Sequence, residues 1–373
     1  MKHKQPVKRG PGMKAGHTLW WCCFAAGMLI VCLSVLPERM QPKEQTDDRG
    51  GVAALGQEYE QERESQTVPG NGQAKKSGGH SRPASDGSLS AFTRGVQIGV
   101  KLNHDNKVET VPLEWYVRGV VAGEMPADFE MEALKAQAIA ARTYVVRKLL
   151  HSGQSDEPLV SDTTDDQVYI PLERLDELWT DGKAKEKLAR IGQAVEETAN
   201  LIITYKGEPI QAAFFSTSNG YTENSEDYWG LALPYLRSVA SPWDKQLSPR
   251  YKDTVELSHS DARRKLGLGQ DAGLAMQVIS RTDGHRVKEV MIGGKAFTGR
   301  EVREKLGLRS SAFSWTVSRD HIRITTYGYG HGVGMSQWGA NALAKEGKRA
   351  ADIIAHYYTD VRIEQASKLP QSS

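Results

Sequence analysis

A run of small residues limits most sharply what this chain can fold into. Between Glu130 and Leu150, five alanines are interspersed with Leu134, Ile139, Val145 and Leu149 at helical spacing. Alanine has the highest helix propensity, and its short side chain lets neighbouring backbones come close. The spacing predicts a central helix with other elements packed around it. Upstream, Val96, Ile98, Val100 and Leu102 alternate as in a strand, and His104–Lys107 reads as a turn. Pro112 opens a second helix through Leu113–Val121, since proline is tolerated in a first turn. Downstream, Ala184–Thr198 reads as a helix, and Leu201–Tyr205 and Ile210–Phe215 as strands. Further strands are expected at Ala275–Arg281, Val287–Ile292 and Arg319–Thr326. Further helices are expected at Ser260–Leu266, Gly299–Leu306, Gly339–Lys345 and Ala350–His356. Strands and helices mix without regular βαβ alternation and without an internal repeat, which points to a single α+β domain.

That domain is expected over residues 92–373, because the chain before it is a different material. Residues 1–16 carry five basic side chains and no acid, and Thr18 to Leu36 carries no charge at all. The apolar stretch is just long enough to cross a bilayer as a helix, with Trp20 and Trp21 near one end. A single transmembrane anchor is therefore expected over residues 17–37, behind a basic cytoplasmic tail. A cleaved signal peptide is the rival, although no small-x-small cleavage site stands out after Leu36. Residues 38–91 are rich in Gly, Gln and Glu and poor in large aliphatics, so they read as a flexible linker. The three cysteines, Cys22, Cys23 and Cys32, all lie in the apolar stretch. The domain thus has no disulfide, cysteine nucleophile or cysteine metal ligand. A net charge of +2 gives no general attraction to nucleic acid.

Four segments carry chemistry. In Val120–Pro126, Pro126 forces Met125 out of the helical region, so Glu124 stands at a sharp helix exit among apolar neighbours. A carboxyl so placed has a raised pKa and can act as an acid near neutral pH. A water-exposed helix-terminal glutamate is the alternative, and spacing does not separate the two. In the alanine-rich helix, Lys135, Arg142 and Tyr144 stand out. An arginine late in a buried helix needs a partner, either a structural salt bridge or an anion.

The third segment, Phe214–Thr222, places hydroxyls and an Asn-Gly turn after an apolar strand. It reads as turn chemistry or as a polar floor for sugar hydroxyls and acetamido groups. Nearby Tyr235 and Arg237 suit a sugar site or a core equally. In the fourth, Gly328, Gly330, Gly332 and Gly334 flank His331, with Gln337 just beyond. Alternating glycines permit close approach of a backbone or a ligand. The run lacks the Gly-Lys-Ser/Thr of a phosphate loop, and the scattered histidines lack metal-ligand spacing.

Together these segments resemble the stage II sporulation protein D family. The residues that carry the resemblance are Val121–Pro126 with Glu132–Tyr144, Phe214–Thr222, Thr298–Leu308 and Gly330–Ala340, in that order. It implies a lytic transglycosylase that cleaves the bond between N-acetylmuramic acid and N-acetylglucosamine in peptidoglycan, leaving 1,6-anhydro-muramic ends. The family prefers glycan stripped of stem peptides and works with stage II sporulation proteins P and M during forespore engulfment. The expected place is the mother-cell membrane, with the domain outside the cytoplasm. By resemblance Glu124 is the catalytic acid and base. Arg142, Ser216, Tyr235, Arg237, His331 and Gln337 are candidates to bind or orient glycan. No cofactor is expected. Some relatives bind zinc after the alanine-rich helix, but here residues 151–169 hold no cysteine and one histidine, so no structural zinc is expected. A non-enzymatic module that enhances a partner wall amidase is the alternative function.

Overall fold

Apolar alternation at the start of the domain produces a hairpin. β1 (Gln97–Leu102) pairs antiparallel with β2 (Lys107–Pro112), in the register Gln97↔Pro112 to Leu102↔Lys107. The computed structural model describes residues 95–368, apart from 105, 153–157, 164–165 and 181. The expected tail, anchor and linker lie outside the described residues. Among those described, no helix is long and apolar enough to cross a membrane.

Pro112 caps α1 (Leu113–Glu124), and Met125, forced extended by Pro126, ends it at φ −124° and ψ 141°. α2 (Met131–His151) is the alanine-rich helix. β3 (Val160–Ser161) adds parallel to β1. α3 (Ala184–Glu197) and β4 (Leu201–Tyr205) follow as expected. The expected strand at Ile210–Phe215 shrinks to β5 (Phe214–Phe215), because Ile210 and Ala213 each make a single backbone bond to another strand, at Ile203 and Met335, and no continuous ladder forms between them.

The chain then builds a second lobe. β6 (Lys252–Ser258) leads into α4 (His259–Leu266). β7 (Met276–Arg281), β8 (Val287–Ile292) and β9 (Lys295–Thr298) form one antiparallel sheet. α5 (Gly299–Leu306) starts on a Thr298/Glu301 capping box and stops at Gly307 in the left-handed region. β10 (Phe313–Val317) and β11 (His321–Tyr327) complete a second sheet with β6. The chain returns through β12 (Met335–Ser336), which pairs parallel with β5. α6 (Gln337–Lys345), α7 (Ala350–Tyr357) and β13 (Arg362–Gln365) close the fold, with β13 on β4.

The architecture is mixed α+β, with two hydrophobic cores. The larger gathers around α2, against which α1, α3, α6, α7 and β4 pack. All five alanines of α2 are buried, which is what lets so many elements approach one helix. The smaller core joins α4 and α5 to the two sheets of the second lobe. β6, β9 and β10, three of the strands that build that lobe, were not among the sequence expectations.

Candidate functional site

Glu124 is the last residue of α1 and is wholly buried. Its surroundings are neutral. The Val168 N–H donates to Oε1 at 2.9 Å, and Gln337 Nε2 donates to Oε2 at 3.3 Å. Burial holds the Glu124 carboxyl well above the usual glutamate range, against the opposing pull of those two hydrogen bonds. No second carboxylate is among the groups that shift it. Gln337 Oε1 is also buried and has no protein partner among the described residues. Turned end for end, this amide would accept a hydrogen bond from the O–H of neutral Glu124 instead of donating to its anion. One residue can therefore serve both protonation states.

A strap seals the carboxyl. Residues 167–170 run across α1 at its two glycines. A Cβ on Gly119 would lie 2.4 Å from the Tyr169 ring and 2.6 Å from the Ile170 carbonyl oxygen. One on Gly123 would lie 2.9 Å from the Val168 carbonyl oxygen. Tyr116 stacks on Tyr169 at 5.4 Å and donates to Gln167 Oε1 at 3.2 Å, while Tyr169 donates to Glu109 at 3.1 Å. Those contacts bring the Val168 amide onto Glu124.

This strap belongs to the segment where the resemblance places zinc in some relatives. Here Asp166 takes its bonds from Lys148, from the Tyr144 hydroxyl at 2.7 Å and from the Ser161 N–H at 2.8 Å. A carboxylate already carrying an ammonium is a poor cation ligand, and no metal-binding cluster of His, Cys, Asp or Glu occurs among the described residues. The described residues of this segment do not fit zinc.

Gln337 is aimed by the start of α6. Ser336 caps that helix and donates to the buried Asp244. The Ser218 N–H donates to the same Asp244 oxygen at 2.7 Å, and Ser241 to the other at 3.2 Å. Burial pushes Asp244 up to about 6. Asp244 was not foreseen, because no motif surrounds it and its partners are distant in sequence. Ser216 is buried alongside. Its carbonyl accepts from the Trp338 N–H at 3.2 Å, and its hydroxyl meets Thr217 Oγ1 at 3.2 Å.

Other candidates do not reach Glu124. Arg142 is fully buried and gives all its nitrogens to the protein. Nη2 meets Glu114 at 2.6 Å, Nε meets Glu114 at 3.0 Å, and Nη1 meets the Leu201 carbonyl at 3.1 Å. Its expected contact with glycan is corrected to a structural salt bridge. Tyr235 is likewise corrected: its buried hydroxyl accepts from the Gln211 N–H at 3.1 Å, and its ring packs on Tyr205. Arg237, partly exposed, clamps Glu226 with two bonds of 2.6 Å.

His331 is buried among Phe215, Tyr228 and Trp229, with ring centroids 5.5–5.8 Å away, and its Nδ1 accepts from the Val333 N–H at 3.0 Å. The glycines around it answer to the protein's own packing. All four have positive φ. A Cβ on Gly332 would lie 2.2 Å from the guanidinium carbon of buried Arg286, and one on Gly334 2.0 Å from the Ala213 carbonyl oxygen. Arg286 faces Glu223 at 3.7 Å, and burial lowers the arginine's pKa while raising the glutamate's.

The fold and site define an α+β protein in which a fully buried carboxyl, Glu124, sits among neutral partners with its pKa raised by burial. Residues 102–205 match the family model described as stage II sporulation protein. The chain is 47% identical to stage II sporulation protein D of Bacillus subtilis (strain 168) over 299 residues, 79% of this chain and 86% of that one. It is 49% identical to stage II sporulation protein D of Bacillus amyloliquefaciens over 278 residues, 73% and 79% of the two chains. An amidase enhancer of Bacillus subtilis (strain 168) is 31% identical over 296 residues, 65% of this chain but 39% of the enhancer. The chain belongs to the stage II sporulation protein D family, a family of sporulation proteins.

Proposed function

We propose that this chain is a membrane-anchored lytic transglycosylase acting on stem-peptide-stripped peptidoglycan during engulfment. The observation that carries the reading is Glu124, a fully buried carboxyl whose pKa burial raises and whose hydrogen-bond partners are all neutral. Glu124 protonates the glycosidic oxygen that leaves muramic C1. Its carboxylate then takes the proton of the muramic 6-hydroxyl as that oxygen bonds to C1. One carboxyl suffices, and no water is consumed. Ordinary glycosidases use two carboxyl groups about 5–9.5 Å apart, and such a neighbour would itself raise the Glu124 pKa. Substrate entry requires the 167–170 strap to lift its Val168 amide from Glu124. Stage II sporulation proteins P and M are the proposed partners, the anchor is residues 17–37, and the domain works outside the cytoplasm.

A second reading has its own support. Glu124 is sealed, and one relative bears the name amidase enhancer. On that reading the domain binds glycan and stimulates a partner amidase. Mass spectrometry of products from amidase-treated peptidoglycan, using wild type beside Glu124→Gln, separates the two. Anhydro-muramic ends from wild type alone support the transglycosylase. Reducing ends contradict it, and glycan binding without any product favours the enhancer.

A further inference from the structure

The hydroxyl-rich segment at Phe214–Thr222 splits between two fates. Ser216, Thr217, Ser218 and Thr222 are buried and hydrogen-bonded within the protein. Asn219 instead reaches a cavity of about 330 Å³ that it shares with Tyr251, Arg281, His285, Ser314 and Tyr327. None of these residues bonds to Glu124, so this is separate from the site described above.

The cavity is built for an unusual ligand chemistry. Tyr251 and Tyr327 lie tilted at 58°, with ring centroids 6.0 Å apart. A guanidinium, an imidazole, an amide and a hydroxyl complete the wall, and no described residue lining it is acidic. Aromatic faces beside hydrogen-bonding groups suit a sugar ring, and a guanidinium fork suits a carboxylate.

Two further details point to a ligand. Asn219 Nδ2 donates to the Gly284 carbonyl at 3.0 Å, while its Oδ1 is buried without a partner among the described residues. A buried acceptor left unpaired is costly, and a turn of this amide toward the cavity would let a ligand N–H or O–H relieve it. His285 closes the turn after β7 with φ +61°, where a side chain is strained. Its ring is nevertheless present, packed edge-on against Tyr221 at 4.5 Å.

We propose that this cavity binds an acidic saccharide unit, a sugar ring bearing a carboxylate, as a second subsite for the glycan on which Glu124 acts. The assignment to that glycan rests on the transglycosylase reading. A muramic residue without its stem peptide exposes a lactyl carboxylate, where an unstripped residue has a neutral amide. Arg281 would read that difference. The cavity and Glu124 share one frame. The Phe214–Tyr221 and Tyr327–Gln337 segments both run from the cavity wall toward Gln337. Thr217 and Tyr329 exchange two backbone bonds of 3.0 and 2.7 Å, and β5 pairs with β12. A strand held in the cavity is thereby held relative to Gln337.

Calorimetric titration of the full-length chain with two probes of equal length tests this. One probe is amidase-stripped glycan, and the other is neutral N-acetylglucosamine oligomer. Wild type should prefer the acidic probe. Arg281→Ala, at an exposed position, should weaken that probe about ten-fold or more and leave the neutral one unchanged. His285→Gly, which relieves the strained φ, should weaken both probes. Equal affinity of wild type for the two probes, no binding of either, or wild-type behaviour of both variants overturns the proposal. Cleavage assays on the same proteins keep the two ideas apart. Cleavage with binding unmoved by Arg281→Ala removes the cavity and leaves the enzyme. An Arg281-dependent acidic preference without cleavage does the reverse.

Discussion

Gly332→Ala offers a quantitative test of why glycines surround His331. The alanine must hold φ at +90°, which costs about 1–2 kcal/mol for an L side chain. Its Cβ would also lie 2.2 Å from both the guanidinium carbon and Nη2 of Arg286. Overpacking of that kind costs about 1–3 kcal/mol. If relief comes by pushing Arg286 off Glu223, a buried ion pair is broken instead, at about 3–5 kcal/mol. The sum is a loss of about 2–5 kcal/mol, or about 4–7 kcal/mol if the ion pair breaks. Gly347→Ala is the control, because Gly347 has φ +83° but no neighbour within 4 Å of its would-be Cβ. It should lose only the conformational part, about 1–2 kcal/mol. Equilibrium urea unfolding followed by circular dichroism reads both. Equal losses in the two variants would refute the claim that Arg286 dictates the glycine.

Two other outcomes follow from the buried charges. Glu124→Gln should change how stability varies with pH. In the folded protein the Glu124 pKa lies above its ordinary 4.5, so its contribution is fully present below about pH 4.5 and declines as pH rises toward the folded value. The glutamine variant escapes that decline. Its unfolding constant should fall relative to wild type by up to about ten-fold per pH unit through that window, and parallel pH profiles would contradict the burial argument. Arg142→Ala should cost about 3–5 kcal/mol by stranding Glu114, whereas Arg142→Met combined with Glu114→Leu should recover most of it. A double variant as unstable as the single one in urea unfolding would show that the arginine does more than pair.

Local signals were legible in the sequence, and distant partners were not. Pro126 identified where α1 ends and which side chain stands there, because proline acts on the residue beside it. The alanines of α2 announced a helix that others crowd against. Arg142 showed only that it needed a partner. That partner, Glu114, lies 28 residues upstream on another helix, so periodicity along α2 could not choose between a salt bridge and a ligand. Tyr235 and Arg237 were ambiguous for the same reason, since Gln211 and Glu226 reach them only in the fold. The glycines around His331 suggested close approach correctly. The approaching groups are Arg286 and the Ala213 carbonyl, both supplied by other segments. Ile210–Ala213 carried strand-like composition but touches its neighbouring strands only at its two ends, and composition cannot supply a continuous ladder. Asp244 was invisible for want of any motif, although it organises the helix start that aims Gln337.

The account turns on Glu124 being stored as a neutral acid in the resting protein. Infrared difference spectroscopy at pH 7, wild type against Glu124→Gln, observes this directly through the carboxyl stretch. The account predicts a protonated-carboxyl band in wild type that vanishes in the variant. A carboxylate band at that pH, lost in the variant, would mean that Glu124 rests ionised, and the general-acid assignment would fall with it.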